Sequence, residues 1–562
     1  MINKIKNLIN LNNLDGYVVP KNDEFFTEYS KTNKLQIVAN FTGSAGFILV
    51  LKNSNHLFVD GRYTIQAKQQ SGKKFIIHEI PYVWPKNILK GKSLNIGFDP
   101  KIFTIETLKI YFGDTCNLLP INKNLFKKNY EIINKNNLVY SIDTTVAGES
   151  VKKKIERLIK IVNKNKIDNL YISSGENVCW LLNIRGKDLP NSPVANFQAI
   201  ITKTKNIILL GNIKKLKNLK KKFSKEKIRF FEMDKFFEIL NLLKGKNFCI
   251  DGKTCSVLNE NLINSKFSIR ERVDPIYGLK SIKNKTEIKN MANAHIEDGV
   301  AVTKFLYWIK NSNIKKLDEI KVEKKLEKFR RQRKNFLFPS FSTIAGSGPN
   351  GAIIHYRSNK KSNRKLNKDH LLLVDSGGQY KWGTTDVTRT ICFNNPSKKI
   401  KELYTRVLKG HIAVATAKIE RIKNGDNLDK IARKSLRSIN LDYKHGTGHG
   451  VGFFMNVHEG PQSISKNNHV KLKKGMIVSN EPGYYLENKF GIRIENLVYI
   501  DGNKKNLYFK NLTYVPLEKD LVDETLLSKA EKDYIFKYNL ETYSRISPYL
   551  NEKEKSWLAK LL

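Results

Sequence analysis

The amino-acid sequence predicts an α/β (α+β) protein made of several domains. Its 562 residues exceed the length at which a single hydrophobic core keeps growing, and a typical domain of about 150 residues suggests roughly four domains. Short apolar runs alternate with helical segments and chain breakers through the first half, which is typical of α/β domains. The second half combines glycine-rich strands with longer helical patterns. We therefore expect two α/β domains, a larger mixed domain and a helical C-terminal extension.

The first α/β domain is predicted over residues 1–145 and the second over residues 146–280. The first contains the apolar runs YVVP, FILV and HLFVD. The second opens with the helical pattern VKKKIERLIKIVNKN and continues with the strand-like runs LYIS and AIITK. Because the two patterns follow a similar order, the sequence suggests an internal duplication.

The third domain is predicted over residues 281–500. Asn284 can cap a helix there, and Glu287 follows at the spacing that a capping box requires. Apolar residues then recur at helical spacing. Residues 501–562 are helical in pattern, and we expect them either to cap the third domain or to pair with another subunit.

The charge of the chain is strongly positive, at +47 from 100 Lys and Arg against 53 Asp and Glu. Such a charge suggests nucleic acid as a partner, because basic surfaces gain affinity for phosphate groups through counterion release. The lysines, however, are scattered with Asn and Ile along the whole chain, and aromatic residues do not interleave with them as a base-stacking surface would. A composition-wide bias explains the charge better, and no nucleic-acid partner is predicted.

The five cysteines are few and odd in number, and no CxxC pair occurs. This argues against a disulfide framework or a thiolate zinc site and favours a reducing compartment. No run of about 18 apolar residues is present, as a membrane-spanning helix would require. The sequence therefore predicts a soluble, cytoplasmic protein with no membrane partner.

Acidic residues and histidines of the third domain stand beside glycines in four motifs. In LLLVDSGGQYKWGTTDVTRTI, an apolar strand ends at Asp375, Gly377 and Gly378 permit a tight reversal, and a second strand brings Asp386. Two carboxylates can thus face each other across a hairpin. The others are HGTGHGVG, SNEPGYY and GIRIENL, which supply, in order, His445 and His449 in a glycine-rich loop, Glu481 at a strand end, and Glu495 on the return strand.

Carboxylates combined with an imidazole suit a pair of manganese, cobalt, iron or zinc ions better than a structural zinc site. The order and spacing of these motifs resemble the pita-bread metallopeptidases of family M24. The whole chain is similar to the long, three-domain cytoplasmic Xaa-Pro aminopeptidase (aminopeptidase P) family: FTGSAG and DGRY resemble its first domain and WLLNIRG its second. The resemblance implies two creatinase-like N-terminal α/β domains followed by a pita-bread catalytic domain with a helical extension.

The resemblance also implies a ligand set. Asp386 and Glu495 would bridge two divalent ions, Asp375 would serve one ion, and His449 with Glu481 would serve the other. Manganese is the expected metal, with cobalt, zinc and iron as alternatives. A hydroxide shared by the two ions would attack peptides with proline in the second position and release the N-terminal residue.

Further residues receive roles from the same resemblance. Glu481 would accept the proton of the nucleophile and pass it to the leaving nitrogen. His355 and His458 would bind the scissile carbonyl and the tetrahedral intermediate, and His445 would line the substrate site. Arg389 and Arg493 would orient the ligands, unless they form surface salt bridges. Arg62 of DGRY would bind substrate, unless it is a buried arginine paired with Asp60, and Phe338, Tyr356 and Tyr484 are candidates for an apolar wall around proline.

Two other functions stay open at this point. The same fold serves prolidases, which cleave dipeptides, and also non-enzymatic binding proteins, so fold alone does not decide the function. Methionine aminopeptidase is disfavoured because it would not need two large N-terminal domains. Relatives without activity typically lose metal ligands, whereas every ligand position is present here. The resemblance further suggests a homodimer formed through the C-terminal part.

Overall fold

The computed structural model describes residues 1–562 except residues 31, 92, 124, 127–137, 225, 423 and 504. The chain divides into two compact units, Met1–Leu279 and Lys280–Leu562. Among the described residues, no helix combines the length and the apolar character needed to cross a membrane.

The N-terminal part of unit 1 is built on a six-stranded mixed sheet. Its strand order is 4-3-2-1-5-6, counted in chain order, and the second strand runs antiparallel to both of its neighbours while the other pairs are parallel. Its elements are α1 (Ile2–Leu11), β1 (Gly16–Pro20), α2 (Lys34–Ala39), β2 (Phe47–Leu51), β3 (Asn55–Asp60), α3 (Thr64–Ser71), β4 (Ile76–Ile80), α4 (Pro85–Ile88), β5 (Asn95–Phe98), α5 (Ile105–Phe112) and β6 (Asn117–Pro120).

The rest of unit 1 repeats this arrangement. Its six-stranded sheet again has the order 4-3-2-1-5-6 with the same strand directions, which favours the duplication suggested by the sequence. Its elements are β7 (Tyr140–Ser141), α6 (Thr144–Ala147), α7 (Val151–Lys164), β8 (Asn169–Ile172), α8 (Gly175–Leu181), β9 (Ile184–Arg185), β10 (Phe197–Thr202), β11 (Ile207–Gly211), α9 (Lys220–Ser224), β12 (Ile228–Phe231), α10 (Phe236–Leu242), β13 (Asn247–Ile250), α11 (Val257–Asn264), β14 (Ser268–Glu271) and α12 (Pro275–Ser281). The short strands β7 and β9 pair separately.

Unit 2 begins with two long helices, α13 (Lys285–Lys310) and α14 (Glu319–Arg331). The capping box predicted for the first helix is present. The Asn284 side chain accepts hydrogen bonds from the backbone N–H groups of Thr286 and Glu287, and Glu287 Oε2 accepts from Asn284 N at 2.9 Å. These bonds satisfy N–H groups that a helix start otherwise leaves free.

The strands of unit 2 form several small sheets. Three-stranded sheets join strands 15, 18 and 19 and strands 16, 17 and 20, a five-stranded sheet has the order 22-21-23-26-27, and strands 24 and 25 pair alone. The remaining elements are β15 (Phe336–Pro339), β16 (Ile344–Ser347), β17 (Leu372–Ser376), β18 (Gly378–Tyr380), β19 (Gly383–Thr384), β20 (Val387–Ile391), α15 (Lys398–Ala415), α16 (Ile419–Ile422), α17 (Gly425–Arg437), β21 (Gly448–Gly450), β22 (Glu459–Ile464), β23 (Ile477–Asn480), β24 (Gly483–Leu486), β25 (Phe490–Arg493), β26 (Asn496–Asn503), β27 (Asn506–Asn511), α18 (Lys529–Ile546) and α19 (Glu552–Ala559).

The C-terminal segment packs against α13. Val300 of that helix shares an apolar cluster with Ile546 and Leu558, and Lys304 Nζ lies 2.8 Å from Glu554 Oε2. The segment thus caps the mixed domain, which was one of the two roles predicted for it.

Candidate metal centre

The residues predicted as metal ligands converge in unit 2. Asp386, His449 and Glu495 offer ligand atoms that all lie within 4.8 Å of one another. His449 Nε2 is 3.4 Å from Asp386 Oδ2 and 3.4 Å from Glu481 Oε1. Asp375 is close enough for its negative charge to raise the pKa of both Asp386 and Glu495. Positions spread over more than a hundred residues of sequence therefore form one cluster.

The two aspartates lie on or beside the antiparallel strands β17 and β20. Asp375 is paired with Thr388 in the ladder, and Asp386 immediately precedes β20. The link between these strands differs from the tight reversal predicted at Gly377 and Gly378. The chain continues instead into β18 and β19, which belong to another sheet. A Cβ on Gly377 would meet the Thr385 carbonyl oxygen at 2.0 Å, so this glycine is needed for close backbone approach.

His449 and Glu481 are held by a shared serine. His449 lies on the short strand β21 and not in the loop that the sequence predicted, whereas His445 precedes that strand. A Cβ on Gly448 would come within 1.9 Å of the Ser479 carbonyl oxygen. Ser479 Oγ accepts a hydrogen bond from His449 N and donates one to Glu481 Oε1, both at 2.9 Å. Ser479 therefore connects the backbone of His449 to the carboxylate of Glu481.

Glu495 and Asp375 are oriented by buried arginines. Arg389 Nη1 donates to the Glu495 carbonyl oxygen at 2.7 Å, and Arg493 Nη2 donates to Asp375 Oδ2 at 2.6 Å. Thr388 Oγ1 donates to Glu495 Oε2 at 2.7 Å. Because Arg389 and Arg493 are 3% and 1% exposed, the alternative of surface salt bridges is wrong.

His445 is connected to the centre through a residue that sequence reasoning missed. The hydroxyl of Tyr485 lies 2.9 Å from His445 Nε2 and accepts a hydrogen bond from Arg493 Nη1 at 2.6 Å. Arg493 in turn binds Asp375, so a continuous polar chain runs from His445 to the carboxylates. The SNEPGYY motif contains Tyr485, but nothing in its spacing distinguishes this tyrosine from Tyr484.

Of the other two predicted histidines, His458 lies next to the cluster, and His355 follows a residue that contacts Arg493. The ring of His458 stands edge-on to His449, with the ring centroids 4.3 Å apart. The carbonyl oxygen of Ile354, which directly precedes His355, accepts a hydrogen bond from Arg493 Nη2 at 3.4 Å. Both histidines are partly exposed, as groups that contact a substrate must be.

The electrostatics of the cluster favour a bound cation. Burial and the charges of neighbouring carboxylates raise the pKa of Asp386 and Glu495 well above the usual range. Asp375 Oδ1 and Glu495 Oε1 are buried without a hydrogen-bond partner among the described residues, although buried polar atoms are normally paired. Hard carboxylate oxygens and one imidazole nitrogen are suitable ligands for manganese, iron, cobalt or zinc. The donor set therefore fits the divalent ions that the sequence predicts.

The cluster is open on one side. The side chains of His449 and Glu481 are 21% and 17% exposed, whereas Asp386 is 6% exposed. A substrate therefore has access from the side of His449 and Glu481.

Arg62, in unit 1, forms a bidentate ion pair with Asp60. Its Nε and Nη2 atoms donate to the two carboxylate oxygens of Asp60 at 2.8 Å each. This is the pairing that the sequence offered as the alternative to substrate binding, although the Arg62 side chain is 31% exposed and not buried.

Stability of the fold around the centre is expected to fall in acid because of His411. Burial and the charge of Arg389 lower the pKa of His411 to about 3. Its Nδ1 lies 3.1 Å from the carbonyl oxygen of Asn480, the residue before Glu481. The unfolded chain binds a proton below about pH 6.5 while the folded chain does not, so stability is lost as the pH falls from 6.5 towards 3.

This group alone contributes a slope of about 1.4 kcal/mol per pH unit in that range. The variant His411→Asn keeps an amide N–H near the position of Nδ1 and does not titrate. Denaturant unfolding between pH 4 and 7 is expected to show a flatter pH dependence for the variant than for the wild type. Parallel curves would contradict the assignment.

Comparison with protein-family models identifies the class of protein. The model for metallopeptidase family M24 matches residues 289–502, and the model for the C-terminal region of this peptidase family matches residues 505–561. Creatinase/prolidase N-terminal domain models match residues 1–121 and residues 133–287. The fold and the carboxylate-rich centre thus define a metallopeptidase, with two creatinase-type N-terminal domains before a pita-bread domain, and the predicted fold class is confirmed.

Relatives that align with nearly the whole chain indicate which family of metallopeptidases it belongs to. A probable Xaa-Pro aminopeptidase P of Laccaria bicolor is 34% identical over 99% of this chain and 92% of its own length. Xaa-Pro aminopeptidase 1 of Dictyostelium discoideum is also 34% identical, over 99% of this chain and 95% of its own. The X-prolyl aminopeptidase of Caenorhabditis elegans, described as a cytosolic enzyme with a di-nuclear active site, superposes with a TM-score of 0.90 at 28% identity, covering 98% of this chain and 95% of its own. The chain belongs to the Xaa-Pro aminopeptidase family of the M24 metallopeptidases.

Proposed function

We propose that this protein is a metal-dependent aminopeptidase that releases the N-terminal residue from peptides with proline in the second position. The observation that carries the proposal is the convergence of Asp386, His449 and Glu495, with ligand atoms within 4.8 Å, in a chain whose full-length relatives are named Xaa-Pro aminopeptidases. Its substrates are peptides.

The proposed ligands divide according to their surroundings. Asp386 and Glu495 would hold the ions jointly, which is supported by their burial and by the effect of the Asp386 charge, which raises the pKa of Glu495. Asp375, His449 and Glu481 would supply the remaining ligand atoms. When bound, two divalent ions would polarise the scissile carbonyl and lower the pKa of the attacking water. Mn²⁺ is the ion we expect, with Co²⁺, Zn²⁺ and Fe²⁺ as alternatives.

Proton transfer is assigned to Glu481. Its Oε1 is fixed by Ser479 Oγ at 2.9 Å, while its partial exposure leaves room for a water molecule and a peptide. Glu481 accepts a proton from the attacking water and delivers it to the proline nitrogen as the peptide bond breaks.

The histidines bind the peptide in this proposal. His355 and His458 donate hydrogen bonds to the scissile carbonyl oxygen and stabilise the charge that develops there. His445 lines the substrate site, with its Nε2 held by the Tyr485 hydroxyl. A contact between Arg62 and the substrate stays a prediction.

Finer points of organisation are also proposed. The chain divides into domains at residues 1–145, 146–280, 281–500 and 501–562, which is supported by the separate sheets of unit 1. A homodimer formed through the C-terminal part and a cytoplasmic location are expected, and the latter is supported by the cytosolic relative.

The alternative functions have less support. The prolidase of Pyrococcus furiosus covers only 63% of this chain, with a TM-score of 0.51, so it lacks a counterpart for a large part of the molecule. A non-enzymatic binding protein would have no need of buried ligand oxygens without partners, such as Asp375 Oδ1 and Glu495 Oε1.

The decisive experiment compares peptides before and after metal removal. Protein stripped with a chelator and reloaded with Mn²⁺ is assayed on an Xaa-Pro-Yaa tripeptide, the Xaa-Pro dipeptide and an Xaa-Ala-Yaa tripeptide. We expect kcat/KM for the proline tripeptide to exceed the other two by at least about 100-fold, and the rate to disappear without metal. Faster cleavage of the dipeptide would establish the prolidase function, and activity that survives chelation would refute the metal-dependent mechanism.

A further inference from the structure

A second buried carboxylate lies outside the metal centre, at the first residue of α14. Glu319 is 0% exposed. Its Oε1 accepts from Ser347 N at 2.7 Å, and its Oε2 accepts from Arg364 N at 2.9 Å. The Tyr356 hydroxyl lies 2.7 Å from Oε2, and Asn350 Nδ2 lies 3.0 Å from each oxygen. Burying a carboxylate is costly unless its oxygens are paired, and this one is paired with four different groups.

All four donors belong to one stretch of chain, residues 347–364, which we call the His355 segment. The same helix start binds the segment again at its end. Glu319 N donates to the Arg364 carbonyl oxygen at 3.1 Å, and Ile320 N donates to Asn363 Oδ1 at 3.1 Å. Glu319 thus connects the two ends of the segment that carries His355.

The middle of the His355 segment lies against the metal centre. Arg493 Nη2, which binds Asp375, also donates to the Ile354 carbonyl oxygen at 3.4 Å. The backbones of Gly351 and Gly491 are so close that a Cβ on Gly491 would meet the Gly351 carbonyl oxygen at 1.9 Å. The segment that carries His355 is therefore held in two places, by Arg493 at the carbonyl oxygen of Ile354 and by Glu319 at the two ends of the segment.

A carboxylate is chemically suited to this second support. Each of its oxygens accepts at least two hydrogen bonds here, from backbone, amide and hydroxyl donors. Glutamine at the same position would keep one accepting oxygen, but its NH₂ group would face donors. Tyr356 is 3% exposed, and its hydroxyl belongs to this network, while a contact between its ring and proline stays a prediction.

We propose that Glu319 is a positioning residue that holds His355 at the reacting carbonyl through the His355 segment. The inference rests on the proposed function, because it takes the carbonyl contact of His355 from it. Catalytic groups must be held to within about 0.5 Å of their productive geometry, and a displacement of about 1 Å costs on the order of 100-fold in rate.

The test is a double-mutant cycle on the Mn²⁺-loaded protein with the proline tripeptide. Glu319→Gln is expected to lower kcat by about 10- to 100-fold and to change KM by less than about threefold, with unchanged metal content. In combination with His355→Ala, it is expected to cause no further loss beyond about twofold, because a displaced His355 has nothing left to contribute. If Glu319 served stability alone, folded Glu319→Gln protein would keep the wild-type kcat. If it acted on catalysis by a route other than His355, the losses of the two variants would multiply.

Two more variants keep the test decisive. Asp318→Ala removes the adjacent side-chain cap of α14, which accepts from Lys321 N at 2.9 Å, and is expected to lower stability without lowering kcat. Tyr356→Phe removes one hydrogen bond from Glu319 and is expected to lower kcat by about three- to tenfold with the same lack of additivity, even if Glu319→Gln does not fold. Wild-type kcat in Tyr356→Phe, or multiplicative losses in the cycle, would overturn the inference. An inactive wild type would instead overturn the proposed function.

Discussion

Replacing Glu495 by glutamine is expected to abolish peptide hydrolysis and, at the same time, to make the metal-free protein harder to unfold. Glu495 is buried with Asp386, and the charges of Asp386, Glu481 and Asp375 all raise its pKa. Without metal, these charges repel one another in a poorly solvated site. Removing one of them relieves that repulsion.

The geometry allows the glutamine to fit. Its carbonyl oxygen can keep the hydrogen bond from Thr388 Oγ1, and its NH₂ group takes the place of Oε1, which is buried without a partner among the described residues. We expect the free energy of unfolding of the metal-free protein to rise at pH 8, because burial and the neighbouring carboxylates disfavour the charged form of Glu495 and glutamine carries no charge.

Activity and metal binding are expected to fall in this variant, whereas the stability of the metal-free protein is expected to rise. Loss of a proposed metal ligand is expected to lower kcat/KM by more than about 100-fold, since replacing residues that only orient ligands already lowers activity by about 10- to 100-fold. Mn²⁺ at 100 times its dissociation constant should stabilise the wild type by about 2.7 kcal/mol and the variant by much less.

Urea unfolding with and without Mn²⁺, metal analysis and the assay on the proline tripeptide together measure the three effects. The matched control is Asp501→Asn on β26, which makes the same chemical change in a partly exposed ion pair with Lys474. It is expected to change stability by less than about 1 kcal/mol and to leave activity intact. A Glu495→Gln protein that is less stable without metal, or that still turns over substrate, would contradict the assignment of Glu495.

The sequence predicts the parts of this molecule that local rules govern. The capping box of Asn284 and Glu287 follows from side-chain spacing alone, and it is present. The ligand candidates follow from acidic residues and histidines beside glycines in strand-like motifs. The motifs do not show where each side chain points or which group it contacts, because tertiary packing determines both.

The errors illustrate this limit. Gly377 looks like a turn residue in sequence, yet the Thr385 carbonyl oxygen is what excludes a side chain there. Sequence reasoning considered only the aromatic ring of Tyr356 and missed the bond between its hydroxyl and Glu319, which lies 37 residues away. Tyr485 was missed for the same reason, since its bonds to Arg493 and His445 exist only in the folded chain.

Replacing Arg493 by glutamine is expected to have the opposite effect on stability to replacing Glu495. Arg493 is 1% exposed, and its charge lowers the pKa of Asp386 within the cluster. It also donates hydrogen bonds to Asp375, to the Tyr485 hydroxyl and to Thr388 Oγ1, the last at 3.2 Å. Its loss leaves a buried carboxylate without its cation, which typically costs about 3–5 kcal/mol.

The comparison with Arg493→Lys separates charge from geometry. Lysine keeps the positive charge, but a single ammonium cannot reproduce the planar set of bonds that a guanidinium makes. In metal-free protein, we expect the lysine variant to recover part of the lost stability while its kcat stays at least about tenfold below wild type, because Tyr485 and Asp375 are no longer held together. Mn²⁺ should stabilise the glutamine variant, since bound cations replace the missing charge. Equal stability of all three proteins in urea, or full activity of the lysine variant, would mean that Arg493 does not organise the centre.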